Sequence, residues 1–146
     1  MKYANNQGSF ILPTNNHHEQ SQSIFHQPVN HPNYGWLVDM GNFLCADDLP
    51  VHAVPIAAPY AFHVHVKDFL YKPADAENPG QGWFPSRNGS YLRGTVAGHG
   101  VVPIRRCLET LKKAGYDGVV SYEFEGMEEN LPALEAALAF LRGLDL

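Results

Sequence analysis

Residues 61–68 read Ala-Phe-His-Val-His-Val-Lys-Asp, in which apolar and polar side chains alternate strictly from Phe62 to Lys67. On a strand, side chains two apart share a face, so Phe62, Val64 and Val66 point one way and His63, His65 and Lys67 the other. The apolar face must be covered, whereas two imidazoles and an ammonium need charge partners or water. A period of two excludes an amphipathic helix here. The segment fits a sheet with helices packed on one surface and polar chemistry on the other.

The rest of the chain supplies the helices and further strands. Gly35–Asp39 follows the turn His31-Pro32-Asn33-Tyr34-Gly35, Gly118–Phe124 follows Gly115-Tyr116-Asp117-Gly118, and a short run Lys2-Tyr3-Ala4-Asn5 opens the sequence. From Pro103 to Ala114, Ile104, Cys107, Leu108 and Leu111 form a helical stripe that Gly115 stops. Leu131 to Arg142 carries Leu131, Leu134, Leu138 and Leu141 on one face, which predicts a second core-facing helix. Pro55 and Pro59 keep any helix within Val51–Tyr60 short or broken. Thr14–Gln27 is open between a weak helix and a loop, with only Ile24 and Phe25 suited to a core. Phe69–Val102, with three prolines, reads as one long functional or mobile loop.

Alternating strands and helices imply an α/β fold with a parallel sheet. Four β/α units are half of an eight-stranded TIM barrel, which needs about 250 residues. A chain of 146 residues is therefore either a small open α/β sheet or part of a barrel, read here as one partial domain over residues 1–146. The formal charge of −5 argues against nucleic acid as a partner. No apolar run approaches the roughly 20 residues of a membrane span, and no basic-then-apolar leader opens the chain. Two cysteines make no disulfide framework, so a reducing cytoplasm is the expectation.

The polar strand positions converge. Asp39 ends one strand, His63 and His65 lie on the polar face of the next, and Val119, Ser121 and Glu123 share the inner face of the last, opposite Val120, Tyr122 and Phe124. The C-terminal rim of parallel strands is where such folds place their sites. Two carboxylates and an imidazole there suit Mn²⁺, Mg²⁺, Co²⁺ or Zn²⁺. The plainer alternative has Asp39 capping a turn, the histidines hydrogen-bonded in the interior and Glu123 paired with Lys67. In the long loop, Trp83, Arg87, Arg93 and His99 either contact a polar, phosphorylated substrate or belong to a surface or subunit contact. His17, His18, His26 and His31 read as solvated loop residues, and Cys45 and Cys107 as small buried ones. Glu125, Glu128 and Glu129 favour a helix start.

Four stretches, Asn33-Tyr34-Gly35-Trp36-Leu37-Val38-Asp39-Met40-Gly41-Asn42, His63-Val64-His65-Val66-Lys67-Asp68, Gly98-His99-Gly100, and Ala114-Gly115-Tyr116-Asp117-Gly118 leading to Ser121-Tyr122-Glu123-Phe124-Glu125-Gly126, carry a family resemblance in their order and spacing. The chain resembles the C-terminal half of the sugar phosphate isomerase/epimerase family, the xylose isomerase-like barrels related to endonuclease IV. The resemblance implies a divalent metal held by Glu, Asp, His and Glu at the last four strand ends. Asp39, His65 and Glu123 match three of these, while Asn5 stands where the first Glu belongs and brings no charge. Asn42 occupies a position that is His in some relatives. The implied chemistry polarises a ketose carbonyl, stabilises an enediolate and moves a proton between carbons. Glu123 and Lys67 would carry the catalysis, and Asn42, His63, Arg93 and His99 would contact the sugar or sugar phosphate. Without a Glu at position 5, two-base epimerisation is impaired and one-base isomerisation is left. The alternative from another class is a catalytically incomplete half-barrel that serves as an assembly module, and nuclease activity is a weaker third reading. A half-barrel exposes a sheet edge, so a homo-oligomer is expected.

Overall fold

A computed structural model of the protein describes the backbone of residues 10–12 and all of residues 33–146. The elements are strand β1 (Phe10–Leu12), β2 (Tyr34–Asp39), a 3-10 turn (Asn42–Ala46), helix α1 (Pro50–Ala57), a second 3-10 turn (Ala58–Tyr60), β3 (Ala61–Val66), β4 (Asp68–Lys72), β5 (Phe84–Pro85), β6 (Tyr91–Thr95), helix α2 (Ile104–Lys113), β7 (Val120–Tyr122) and helix α3 (Asn130–Arg142). β1, β2, β3 and β7 form a parallel sheet in that order. Among the described residues this sheet is open, so the α/β reading holds as part of a barrel and not a closed one.

The alternation in β3 resolves as the sequence predicts. Val64 and Val66 are fully buried and pack with Trp36 and Val38 of β2 against Ala53, Val54 and Ala57 of α1 and Ile104, Cys107 and Leu111 of α2. Phe62, on the same side, is exposed and its ring packs against Gly35, where a Cβ would collide with it. α1 begins at Pro50, a position whose missing N–H costs nothing, and is short because it contains Pro55. α2 ends in Lys112 and Lys113, which complement the helix dipole, and Gly115 (φ +87°) takes the left-handed turn beyond it.

Three expectations are corrected. The long loop over Phe69–Val102 is instead a second, antiparallel sheet of order β4-β6-β5, in which Asp68–Lys72 pairs residue for residue with Tyr91–Thr95. The prolines read as loop markers fall between its strands or on the two-residue edge strand β5. The leucine face of α3 is not its core face: Leu131, Leu134 and Leu138 are 68%, 39% and 45% exposed, and Ala133 and Ala137 are the buried positions. Only Leu141 of the leucine set packs against the core, with Phe140. Cys107 is buried as expected, but Cys45 is only half-buried. The expected strand Lys2–Asn5, the Thr14–Gln27 segment, Asn5 itself and His17, His18, His26 and His31 lie outside the described residues; the strand that pairs with β2 is Phe10–Leu12.

The two sheets are joined with a single residue between them. β3 ends at Val66, Lys67 follows, and β4 begins at Asp68. The buried Asp68 carboxylate fixes the turn-off: Oδ1 accepts the N–H of Phe69 (2.9 Å) and Val102 (3.0 Å), and Oδ2 those of Gly98 (2.9 Å) and Gly100 (2.8 Å). The far turn of the antiparallel sheet is tied down by Asp47 (φ +61°), whose carboxylate accepts Ser86 Oγ–H at 2.6 Å and the Asn88 N–H at 2.7 Å.

Candidate metal centre

Three adjacent strands bring three ligating groups together. β2 pairs with β3 so that Asp39 stands opposite His65, and β3 pairs with β7 so that His65 stands opposite Ser121, one inward position before Glu123. The Glu123 N–H bonds to the Val66 carbonyl (2.9 Å), extending the pairing past the end of β7 and turning the glutamate inward. One ligand atom from each of Asp39, His65 and Glu123 lies within 4.8 Å of the other two. His65 Nδ1 is 3.0 Å from Glu123 Oε1 and 4.0 Å from Asp39 Oδ2.

The two oxygens of Asp39 have separate roles. Oδ1 accepts the N–H groups of Gly41 and Asn42, each at 3.0 Å, so the turn-cap reading is correct for that atom. Oδ2 faces the cluster. Burial pushes the Asp39 carboxyl above its usual range, against the pull of Lys67 and the Asn42 amide. Lys67, almost fully buried, sends its ammonium to Glu123 Oε2 (2.8 Å), Glu125 Oε2 (3.2 Å), Asp39 Oδ2 (3.5 Å) and Asn42 Oδ1 (3.4 Å). Burial alone would lower its pKa; the three carboxylates outweigh that and push it up to about 12. Burial likewise raises Glu123, but the hydrogen bond and charge of Lys67, helped by His65, hold it below the ordinary carboxylate range.

The donor chemistry fits a divalent ion. Two carboxylates and one imidazole converge from rigid strand ends, and donors to one ion at 2.0–2.2 Å need to come about 3 Å apart, within reach of small side-chain rotations. Lys67 partly neutralises the same carboxylates, so an ion would share them with a resident ammonium.

The other predicted residues separate into two groups. Asn42 and His63 flank the cluster. The Asn42 carbonyl oxygen accepts from Lys67, while His63 stacks edge-on against His65 (centroids 5.0 Å apart) and its Nε2 lies 2.9 Å from Ser121 Oγ. Burial and the neighbouring His65 hold the His63 imidazole below its ordinary pKa. Arg93, Arg87 and His99 make no contact with the cluster. Arg93 lies 5.7 Å from the Trp83 ring centroid, as does Lys72, and its Nε is buried without a partner. Arg87 is exposed in the turn tied by Asp47, with its backbone N–H on the Cys45 carbonyl (2.9 Å), and His99 is exposed. Glu125 was assigned to a helix start, yet α3 begins only at Asn130 and Glu125 reaches Lys67. The signal was present, since Glu123 and Glu125 are two apart in extended chain. A cleft of about 670 Å³ against α2, lined by residues including Gly98, Arg105, Arg106 and Phe140, shares none of the cluster residues.

A family model described as xylose isomerase-like TIM barrel matches residues 8–144. Among solved structures, a xylose isomerase domain protein from Planctomyces limnophilus is 27% identical, with a TM-score of 0.69 over 90% of this chain and 42% of its own. A xylose isomerase-like TIM barrel protein from Mycobacterium smegmatis in complex with magnesium is 19% identical (TM-score 0.65; 86% and 39% covered). The IOLI protein with a bound zinc atom is 22% identical (TM-score 0.63; 88% and 43% covered). The chain thus spans about two fifths of the length of these structures. No curated protein sequence matches it significantly.

Proposed function

Because the chain belongs to the xylose isomerase-like TIM barrel family, we propose that it is one partial barrel domain of a metal-dependent sugar or sugar phosphate isomerase or epimerase, working through an enediolate. The observation that carries this reading is the convergence of Asp39, His65 and Glu123 from three neighbouring strand ends. These three side chains hold the ion, which is Mn²⁺, Mg²⁺, Co²⁺ or Zn²⁺. When bound, it supplies Lewis-acid polarisation of a carbonyl.

The protein's own groups do the rest. Glu123, kept ionised by Lys67, takes the proton from the carbon beside the carbonyl and returns it to the neighbouring carbon. The Lys67 ammonium, oriented by three carboxylates, gives a proton to the carbonyl oxygen on which negative charge grows and takes one back from the neighbouring hydroxyl as the new carbonyl forms. Asn42 and His63 contact substrate hydroxyls beside the ion, and Arg93 and His99 meet the outer end of the sugar or its phosphate. With Glu123 as the one matched base, one-base isomerisation is favoured over epimerisation. Such an enzyme acts on a small cytoplasmic metabolite and needs neither nucleic acid nor membrane; among the described residues no helix is long and apolar enough to cross a bilayer.

Mn²⁺ titration calorimetry tests the site. Binding at about micromolar strength, equivalent to about 8 kcal/mol, and lost in Asp39→Ala, is expected. Absence of binding to the unmodified chain refutes the reading. Ketose and aldose screening of the loaded protein then tests turnover.

A further inference from the structure

The antiparallel sheet springs from the end of β3 and is anchored to the loops on both sides of it. Its far turn is bonded to the loop that follows Asp39, through Ser86 and Asn88 to the Asp47 carboxylate and through the Arg87 N–H to the Cys45 carbonyl. On the other side Gly94 of β6 bridges to Gly126, just past Glu123 and Glu125. The register sorts the side chains of this sheet. Residues directly opposite one another share a face, so Phe69, Tyr71, Phe84 and Leu92 lie on one side and Lys72 and Arg93 on the other. Two observations turn the aromatic side towards the metal centre. Alternation carries the direction of Lys67, whose ammonium lies in the cluster, on to Phe69 and Tyr71. A Cβ on Gly94, the residue opposite Phe69, would strike the backbone of Glu125, whose carboxylate contacts Lys67.

On this side Phe69 and Leu92 are buried, whereas Tyr71 and Phe84 are exposed. Both exposed rings are held in place. The Tyr71 hydroxyl is 3.1 Å from Ser90 Oγ, and Phe84 meets Phe69 edge-on with centroids 5.6 Å apart. The two cations of the sheet are on the far face, each 5.7 Å from the Trp83 ring centroid.

We propose that Tyr71 and Phe84 form an aromatic wall of the substrate pocket and select an uncharged sugar over its phosphate ester. Fixed rings of this kind take the C–H face of a sugar while its hydroxyls turn to the polar groups of the strand ends. A phosphate dianion against the same wall loses water and gains no free cation. The Lys67 ammonium is already shared by three carboxylates, and Glu125, 60% exposed, repels an anion. The inference rests on the proposed function and narrows it: the outer end of the substrate, where Arg93 and His99 meet it, carries hydroxyls.

The test is calorimetric titration of the Mn²⁺-loaded protein with D-xylose, D-xylulose, D-fructose and D-tagatose, and with the phosphate ester of each. At least one free sugar is expected to bind about tenfold or more tightly than its ester, a difference of about 1.4 kcal/mol. Tyr71→Ala and Phe84→Ala should each weaken that sugar about tenfold with Mn²⁺ affinity unchanged. Tyr71→Phe, which keeps the ring, should retain its affinity, and Lys72→Gln, on the far face, should not alter it. Tighter binding of the esters overturns the proposal, as does Mn²⁺ binding without affinity for any free sugar. So do alanine variants that bind the sugar normally, or an equal loss in Lys72→Gln. Failure to bind Mn²⁺ at all is a different result: it overturns the proposed function, and this inference with it.

Discussion

Replacing Asp68 by Asn is the most informative single perturbation of the scaffold. The carboxylate is buried and accepts four backbone N–H groups, two on each oxygen, at 2.8 to 3.0 Å. An amide of the same shape keeps one oxygen and its two bonds but turns an NH₂ towards the other two donors. Bonds to a charged acceptor contribute about 1.5–3 kcal/mol each, so losing two costs about 3–6 kcal/mol. Burial opposes the charged carboxylate and raises its pKa against the four amides, and a neutral amide escapes that penalty. The lower end, about 3 kcal/mol, is therefore expected, which lowers the melting temperature of a chain this size by about 6–12 °C. Urea and thermal denaturation at pH 7 measure the loss. Hydrogen exchange locates it, because the amides of Phe69, Gly98, Gly100 and Val102 should lose protection selectively. A loss under about 1 kcal/mol, or unchanged exchange at these four amides, would show that the carboxylate does not hold the junction between the sheets.

Two further outcomes follow from the same geometry. Lys67→Met removes the cation that shares Asp39 and Glu123 with the proposed ion, so Mn²⁺ affinity should rise about tenfold or more while turnover falls; weaker Mn²⁺ binding in calorimetry refutes the competition. Burial pushes the Cys107 thiol up to about 12, and burial with the Asp39 charge pushes Cys45 up to about 11. In the unfolded chain both ionise near 9.0, so the folded state holds more protons above that pH and stability must fall as pH rises from 9 towards 12. Tyr116, raised to about 12 by burial and Asp117, adds to the same slope. The urea midpoint should drop between pH 8 and pH 10.5, less steeply in Cys107→Ala; a flat profile contradicts the assignment.

Residues whose environment is set by their own strand were legible in the sequence. The alternation of residues 61–68 separated Val64 and Val66 from His63, His65 and Lys67, and the strand-end positions of Asp39 and Glu123 followed from the same period of two. The second sheet was not legible, because β4 and β6 are brief and separated by a stretch carrying Pro73, Pro79 and Pro85. Their pairing is a non-local contact that no periodicity within either segment reveals. In α3 the leucines identified an apolar face correctly but not what lies against it, since the buried positions of the helix are Ala133 and Ala137. Glu125 was missed for a related reason. Acidic residues before a helix have an adequate local explanation, and only the buried Lys67 supplies the other one.

One extended segment belongs to both sheets, with Lys67 as its pivot. The residue at which the chain leaves the barrel wall is therefore also the one that sets the charge along its inner rim, since its ammonium touches Asp39, Glu123 and Glu125 at once. Any change in the direction of β4 reaches all three carboxylates through a single peptide unit.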